Sequence, residues 1–262
     1  MQGYPSTYDA AFYADGGGLA YRAAQIILTE IREVHSFASV VDFGCGAGGW
    51  LRAAADLIGQ AGAVPALLGI DGPHARAFAE CPGAQFIFQD LEHRIRVPNT
   101  FQLAISMEVA EHLTEARAAG FVEDLTRASD VILFSAAIPG QGGTHHINEQ
   151  WQSYWIEMFA ARDYACFDIL RPRLWRNAVL ALCPFYIANA FLYVRNQHSL
   201  IGRLEAMHSA VQAGKGKYPT DVVHPELFRR NHIENAGPRS LLQQLPRAVA
   251  RAIARRLRRN GG

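Results

Sequence analysis

The stretch that most constrains this chain is Val40-Val41-Asp42-Phe43-Gly44-Cys45-Gly46-Ala47-Gly48-Gly49-Trp50. A short β-branched run stops at four glycines, and helical spacing resumes over residues 50–60. Glycine suits such a turn because the backbone must adopt unusual dihedrals, and because a side chain would block a ligand lying against the main chain. Gly44, Gly46 and Gly49 also satisfy G-x-G-x-x-G, so a dinucleotide site is one reading and a purely structural tight turn another. A strand, a glycine loop and a helix in that order predict the opening of a βαβ unit.

The rest of the sequence continues the alternation. Helical spacing over residues 19–34 precedes the loop, and strands are predicted at 38–43, 64–70, 85–88, 101–107 and 131–136. Helices are predicted between them at 50–60, 74–80 and 114–129. Strands alternating with helices predict an α/β fold with a mostly parallel sheet covered on both faces. After the fifth strand come the polar loop 139–150, a helix near 151–161, and strands near 165–170 and 191–194 that would close the sheet with an antiparallel pair. No internal repeat is visible. Beyond Gln197 the periodicity weakens, with Gly214, Gly216, Pro219, Pro225 and Pro238 as breakers, and it returns over 245–260. The expected organisation is an N-terminal helical segment (1–35), a ligand-binding domain (36–195) and a loop-rich tail (196–262) ending in a basic amphipathic helix.

Bulk properties exclude several function classes. Lys+Arg number 25 against Asp+Glu 24, so no general attraction to polyanions, and no obligatory nucleic acid, is expected. Four scattered cysteines form no C-x-x-C pair, which predicts reduced thiols in place of a disulfide framework or zinc site. The N-terminus lacks a signal-peptide pattern, and the apolar stretch from Ala178 to Val194 is interrupted by Pro184 and Asn189. A cytoplasmic protein without a transmembrane segment is expected, and a homo-oligomer stays open.

Acidic residues mark the ends of the next strands. Asp71 follows the second strand, where a carboxylate can accept hydrogen bonds from two ribose hydroxyls. Phe88-Gln89-Asp90-Leu91 follows the third, and Ser106-Met107-Glu108-Val109-Ala110-Glu111-His112-Leu113 the fourth. Taken in order, these pieces resemble the class I (Rossmann-like) S-adenosylmethionine-dependent methyltransferases over roughly residues 36–136, and bacterial sugar and natural-product methyltransferases among them. The resemblance implies a seven-stranded sheet with an N-terminal helical lid and S-adenosylmethionine as cofactor. It implies that Asp42, Gly44, Cys45, Gly46, Gly48 and Trp50 surround the methionine moiety. Asp71 and Gly72 would hold the ribose, and Gln89, Asp90 and Leu91 the adenine. Met107 and Glu108 would form the floor near the sulfonium, with His112 at the mouth. A sulfonium cation suits carboxylates, whereas a nicotinamide cofactor brings a pyrophosphate.

The acceptor side is read from the loop Pro139–Trp151 with its glycines, His145, His146, Asn148 and Glu149. His146 first and His145 second are candidate general bases for a hydroxyl of a small molecule such as a sugar or secondary metabolite, since imidazole titrates near neutrality. His145, His146 and Glu149 match no common zinc spacing, so no metal is expected. A helix cap at Asn148 or Glu149 with solvated histidines is the bland reading. Glu111, Asn148, Glu149, Tyr13, Tyr21 and Tyr154 are further candidates for substrate contact, and Tyr8, Tyr13 and Tyr21 for a lid. An amine acceptor, a nicotinamide-dependent oxidoreductase and a catalytically silent partner subunit are the alternatives. The arginine-rich closing helix reads as a solvated terminal helix.

Overall fold

The computed structural model describes residues 10–215 and 220–229, with side chains described for 18–208 and 220–229. Helix α1 (Ala10–Arg32) leads into β1 (Ser39–Phe43), α2 (Gly49–Gln60) and β2 (Ala66–Asp71). A 3-10 turn (Pro73–Ala77), β3 (Gln85–Phe88), β4 (Leu103–Met107), α3 (Glu115–Ala128) and β5 (Val131–Ser135) follow. The chain continues through α4 (Gln152–Ala160), β6 (Tyr164–Phe167), α5 (Arg171–Leu174), α6 (Pro184–Asn189) and β7 (Phe191–Arg195) to α7 (Ile201–Lys215). A second compact unit begins at Pro225 and contains α8 (Pro225–Arg229).

The seven strands form one sheet in the order β3-β2-β1-β4-β5-β7-β6. β1 to β5 pair in parallel, whereas β7 runs antiparallel to both β5 and β6, so the sheet is mixed. Successive strand residues serve opposite faces, as pleating requires. Val40, Leu67, Ile105, Leu133 and Leu192 pack on one side with α1 and α2, and Val41, Leu68, Ala104, Ile132 and Tyr193 on the other with α3 and α4. Because both faces are covered, these strands read as continuous apolar runs. On α1, Ala24, Ile27, Leu28 and Ile31 make a helical stripe buried against the sheet. Each fully buried Leu or Ile of this kind contributes about 1.5–3 kcal/mol. Phe159 stacks on Tyr193 with ring centroids 3.9 Å apart.

Several elements differ from the sequence expectation. The helix expected at 74–80 is only a 3-10 turn over Pro73–Ala77. The apolar stretch 178–194 breaks into a 3-10 turn, α6 and β7 at the Pro184 and Asn189 interruptions. The segment expected to be loop-rich contains α7, whose apolar residues form no single stripe and so left no periodic signal. Among the described residues no helix is long and apolar enough to cross a membrane. The expected closing helix over 245–260 and the side chains of Tyr8 and Tyr13 lie outside the described residues.

β1, β2 and β3 extend the sheet to one side, and β4 and β5 to the other. The order of strand addition therefore reverses between β1 and β4, which leaves a crevice beyond the carboxyl ends of those parallel strands.

Candidate functional site

That crevice holds a cavity of about 350 Å³, within the range of small-molecule sites. Gly44 and Gly46, in the loop after β1, have φ of 82° and 52°. At Gly44 an added Cβ would run into the side chain of Val109, which also lines the cavity. Glycine is thus needed there twice over, for the left-handed backbone and for the close approach. Gly48 precedes α2 as its N-cap with φ of 84°, and a Cβ there would lie 2.8 Å from the Glu80 carbonyl oxygen. It shapes the loop without lining the cavity, where Ala47 and Gly49 stand instead.

Asp71 ends β2 on the cavity wall. Gly46 N–H donates to its Oδ2 and Gly72 N–H to its Oδ1, each at 2.6 Å. Burial raises its pKa, and the two N–H bonds and His74 only partly oppose that. Each oxygen keeps acceptor capacity for another donor. Asp42 is placed differently from the expectation. It is buried behind the loop and does not line the cavity, and its pKa is driven well up by burial and then by Asp71.

Asp90, Leu91 and Glu92 form another part of the wall. They are held by Arg117 of α3, which donates to the carbonyls of Leu91 at 2.8 Å and His93 at 2.9 Å and pairs with buried Asp124. Asp124 also accepts from Ile95 N–H at 2.9 Å. Glu92 accepts from the Thr114 backbone N–H at 2.6 Å, so it satisfies a donor at the start of α3. Gln89 points elsewhere, donating to the Arg94 carbonyl at 3.2 Å.

Glu108 has φ of 57°, an unfavourable region for a side-chain-bearing residue that costs about 1–3 kcal/mol. Gln141 donates to it at 2.6 Å and Asn189 at 3.3 Å, and Asn189 also donates to Gln141 at 2.9 Å. This closed triangle holds a half-buried carboxylate whose pKa is raised by desolvation. Gln141 and Asn189 were not singled out as site residues. The interruption of an apolar stretch by Asn189 was the one available signal. Tyr186 and His74, also missed, line the cavity with Trp50, Met107 and His112. Trp50 meets Tyr186 edge to face at 5.5 Å.

The histidine loop is folded around Glu149. Its carboxylate accepts from Gly140 N–H at 2.7 Å and Gly142 N–H at 2.8 Å, and pairs with His146 Nδ1 at 2.9 Å. Ile147 and Asn148 donate their N–H groups to the Glu111 backbone carbonyl at 2.9 and 3.0 Å, which docks the loop on the turn after β4. His146 does not itself line the cavity but meets His112, which does, edge to face at 4.9 Å. Burial, and then His146, lower the His112 pKa to about 4. His145 is exposed with φ of 57°. Asn148 is a buried strut that accepts from Gln150 at 2.9 Å.

Two tyrosines expected at the substrate are held elsewhere. Tyr21 donates to Asp56 of α2 at 2.6 Å and carries Arg52 over its ring, so only its neighbour Ala20 lines the cavity. Tyr154 packs edge to face on Trp155 at 5.0 Å, at the margin of the core.

The sequence matches no protein-family model and no curated protein. Among solved structures, the chain is similar to Streptomyces venezuelae DesVI with a TM-score of 0.54 at 14% identity, over 71% of this chain and 95% of that one. It is similar, with a TM-score of 0.50 at 18% identity, to a chain of the complex between the Haloferax volcanii Trm112 methyltransferase activator and a methyltransferase. That match covers 73% of this chain and 99% of the other. The chain has the class I methyltransferase fold. At such identities the shared fold fixes the architecture, and the chemistry must be argued from the residues at the site.

Proposed function

We propose that the protein is an S-adenosylmethionine-dependent methyltransferase acting on a hydroxyl of a small molecule. One observation carries this reading. Among the described residues, the cavity wall holds four carboxylates (Asp71, Asp90, Glu92 and Glu108) and no Lys or Arg. Such a wall favours a cationic ligand over a pyrophosphate, which requires positive partners. The cradle also fits the cofactor, since Gly44 and Gly46 leave bare backbone beside Asp71.

In this reading Asp71 accepts from the ribose hydroxyls, Asp90 from the adenine amino group, and Glu108 lies by the sulfonium end. S-adenosylmethionine, when bound, supplies a methyl group on sulfur, whose bonding electrons return to sulfur as the acceptor oxygen takes the methyl. The protein supplies position and a place for the departing hydroxyl proton. Glu149 engages Nδ1 of His146, which leaves the Nε2 lone pair as proton acceptor or cation ligand. The histidine loop, with its several hydrogen-bonding groups, supports a sugar or secondary metabolite as acceptor.

Calorimetric titration with S-adenosylhomocysteine, with NADH in parallel, tests the reading. Micromolar binding of S-adenosylhomocysteine that Asp71→Ala abolishes is expected. Binding of NADH alone would replace the reading with an oxidoreductase, and binding of neither would leave a silent subunit.

A further inference from the structure

Glu111 is fully buried in the turn after β4, and among the described residues neither of its carboxylate oxygens has a hydrogen-bond partner. Burial, and then the neighbouring Glu108 carboxylate, disfavour its charge, and the backbone N–H groups of Glu111 and Ala137 oppose this only weakly, without meeting hydrogen-bond geometry. A carboxyl group so placed needs a proton or a cation. Arg and Lys are absent from its described ion pairs, where the neighbour is a histidine: His146 Nε2 lies 4.0 Å from Glu111 Oε1.

Three potential ligands converge here. One ligand atom from each of Glu111, His112 and His146 lies within 4.8 Å of the others. Ligands about 2.1 Å from a common ion stand roughly 3–4 Å apart, so small side-chain adjustments would close the set. The surroundings resemble those of a metal ligand's outer partners. The Nδ1 of His146 is engaged by Glu149, which is itself fixed by two backbone N–H groups of the loop. A histidine ligand is commonly oriented by a carboxylate on its other nitrogen in this way. The loop backbone at His145 and Thr144 lies beside the His112 ring and favours its charged form.

We propose that Glu111, His112 and His146 bind one divalent transition-metal ion beside the cavity. Two imidazoles and a carboxylate suit zinc and its first-row neighbours, and three protein ligands leave coordination positions open. Because His112 lines the cavity, an open position faces the acceptor side. Resting on the methyltransferase reading, that position takes the acceptor's hydroxyl oxygen and lowers its pKa. The proton passes to solvent, the oxygen electron pair forms the C–O bond, and the C–S pair returns to sulfur. No electron is gained or lost overall. The His146 lone pair is then a ligand and not the proton acceptor.

The test uses the full chain, stripped with EDTA and dialysed. Zn²⁺ is titrated calorimetrically, Co²⁺ is followed by visible absorption, and melting is recorded with and without metal. One equivalent of tight binding with a rise in Tm is expected. Glu111→Gln and His146→Gln should each weaken binding by more than the roughly 10–100-fold typical of losing an outer partner. Both variants should still melt cooperatively when stripped, and His35→Gln should bind metal as the wild type does. Absence of saturable binding, or binding that survives both substitutions, overturns the proposal. S-adenosylhomocysteine is titrated into the same stripped samples. Its binding without metal binding overturns the metal site alone, whereas metal binding without it upholds the site and removes the methyltransferase reading.

Discussion

Gly46 and Asp71 are joined across the mouth of the crevice: the backbone N–H of the glycine donates to Oδ2 of the aspartate at 2.6 Å. The contact ties the loop after β1 to the end of β2 and aims the carboxylate into the cavity. Asp71→Asn keeps the shape but leaves one acceptor oxygen where two had been satisfied by Gly46 and Gly72. Its affinity for S-adenosylhomocysteine should fall roughly 10- to 100-fold, or about 1.5–3 kcal/mol, by calorimetry. Unchanged affinity would remove Asp71 from the cofactor site.

Gly44 faces the Val109 side chain with no room between them. Gly44→Ala should therefore destabilise the protein by about 1–3 kcal/mol in urea unfolding and abolish cofactor binding. Adding Val109→Ala restores the space but not the backbone freedom, so only part of the stability should return. Complete recovery would mean that the left-handed φ of Gly44 carries no cost.

Arg117 and Asp124 form a buried pair that also anchors Leu91, His93 and Ile95. Arg117→Met leaves buried Asp124 with only the Ile95 N–H and the more distant Arg94 at 3.9 Å, and should cost about 3 kcal/mol. The double variant with Asp124→Leu should recover much of that loss in denaturant unfolding. It should still bind cofactor more weakly, because the Leu91 carbonyl loses its anchor.

Glu149 holds two loop amides and His146. Glu149→Gln should leave S-adenosylhomocysteine affinity within about twofold, since Glu149 does not line the cavity. Metal affinity should drop about 10- to 100-fold, as for loss of an outer partner. Methylation of an acceptor, once one is found, should fall with it.

Asp42 and Asp71 have folded pKa values raised by burial, and the Asp71 carboxylate raises that of Asp42 further. A raised acid holds its proton to a higher pH in the folded state than in the unfolded chain. Its contribution is thus favourable at low pH and is lost as pH rises from the unfolded value through the folded one. Asp42→Asn should flatten the fall of Tm over the interval above pH 4 relative to the wild type. A parallel pair of profiles would show that Asp42 ionises freely in the fold.

Much of the architecture was legible locally. The β-branched run into Gly44 and Gly46 marks β1, its loop and α2, because turn dihedrals and strand burial are written in adjacent residues. The acids at Asp71, Asp90 and Glu108 were legible for the same reason, since each follows a strand that ends at the same sheet edge. α7 was not, because its residues carry no amphipathic period to read.

The sequence by itself determined the α/β layering, the strand ends and the acids Asp71, Asp90 and Glu108 beside them, all products of short-range periodicity and turn chemistry. Only the tertiary structure decided that Gln141 and Asn189 close around Glu108, and that Tyr21 is tied to Asp56. It also brought His146 to Glu111 and His112, where the sequence offered His145 and Glu149 as its neighbours. Those groupings join distant segments: the strand order that carries β4, β5 and β7 side by side brings together the groups around Glu108 and Glu111, and the packing of α1 on α2 brings Tyr21 to Asp56.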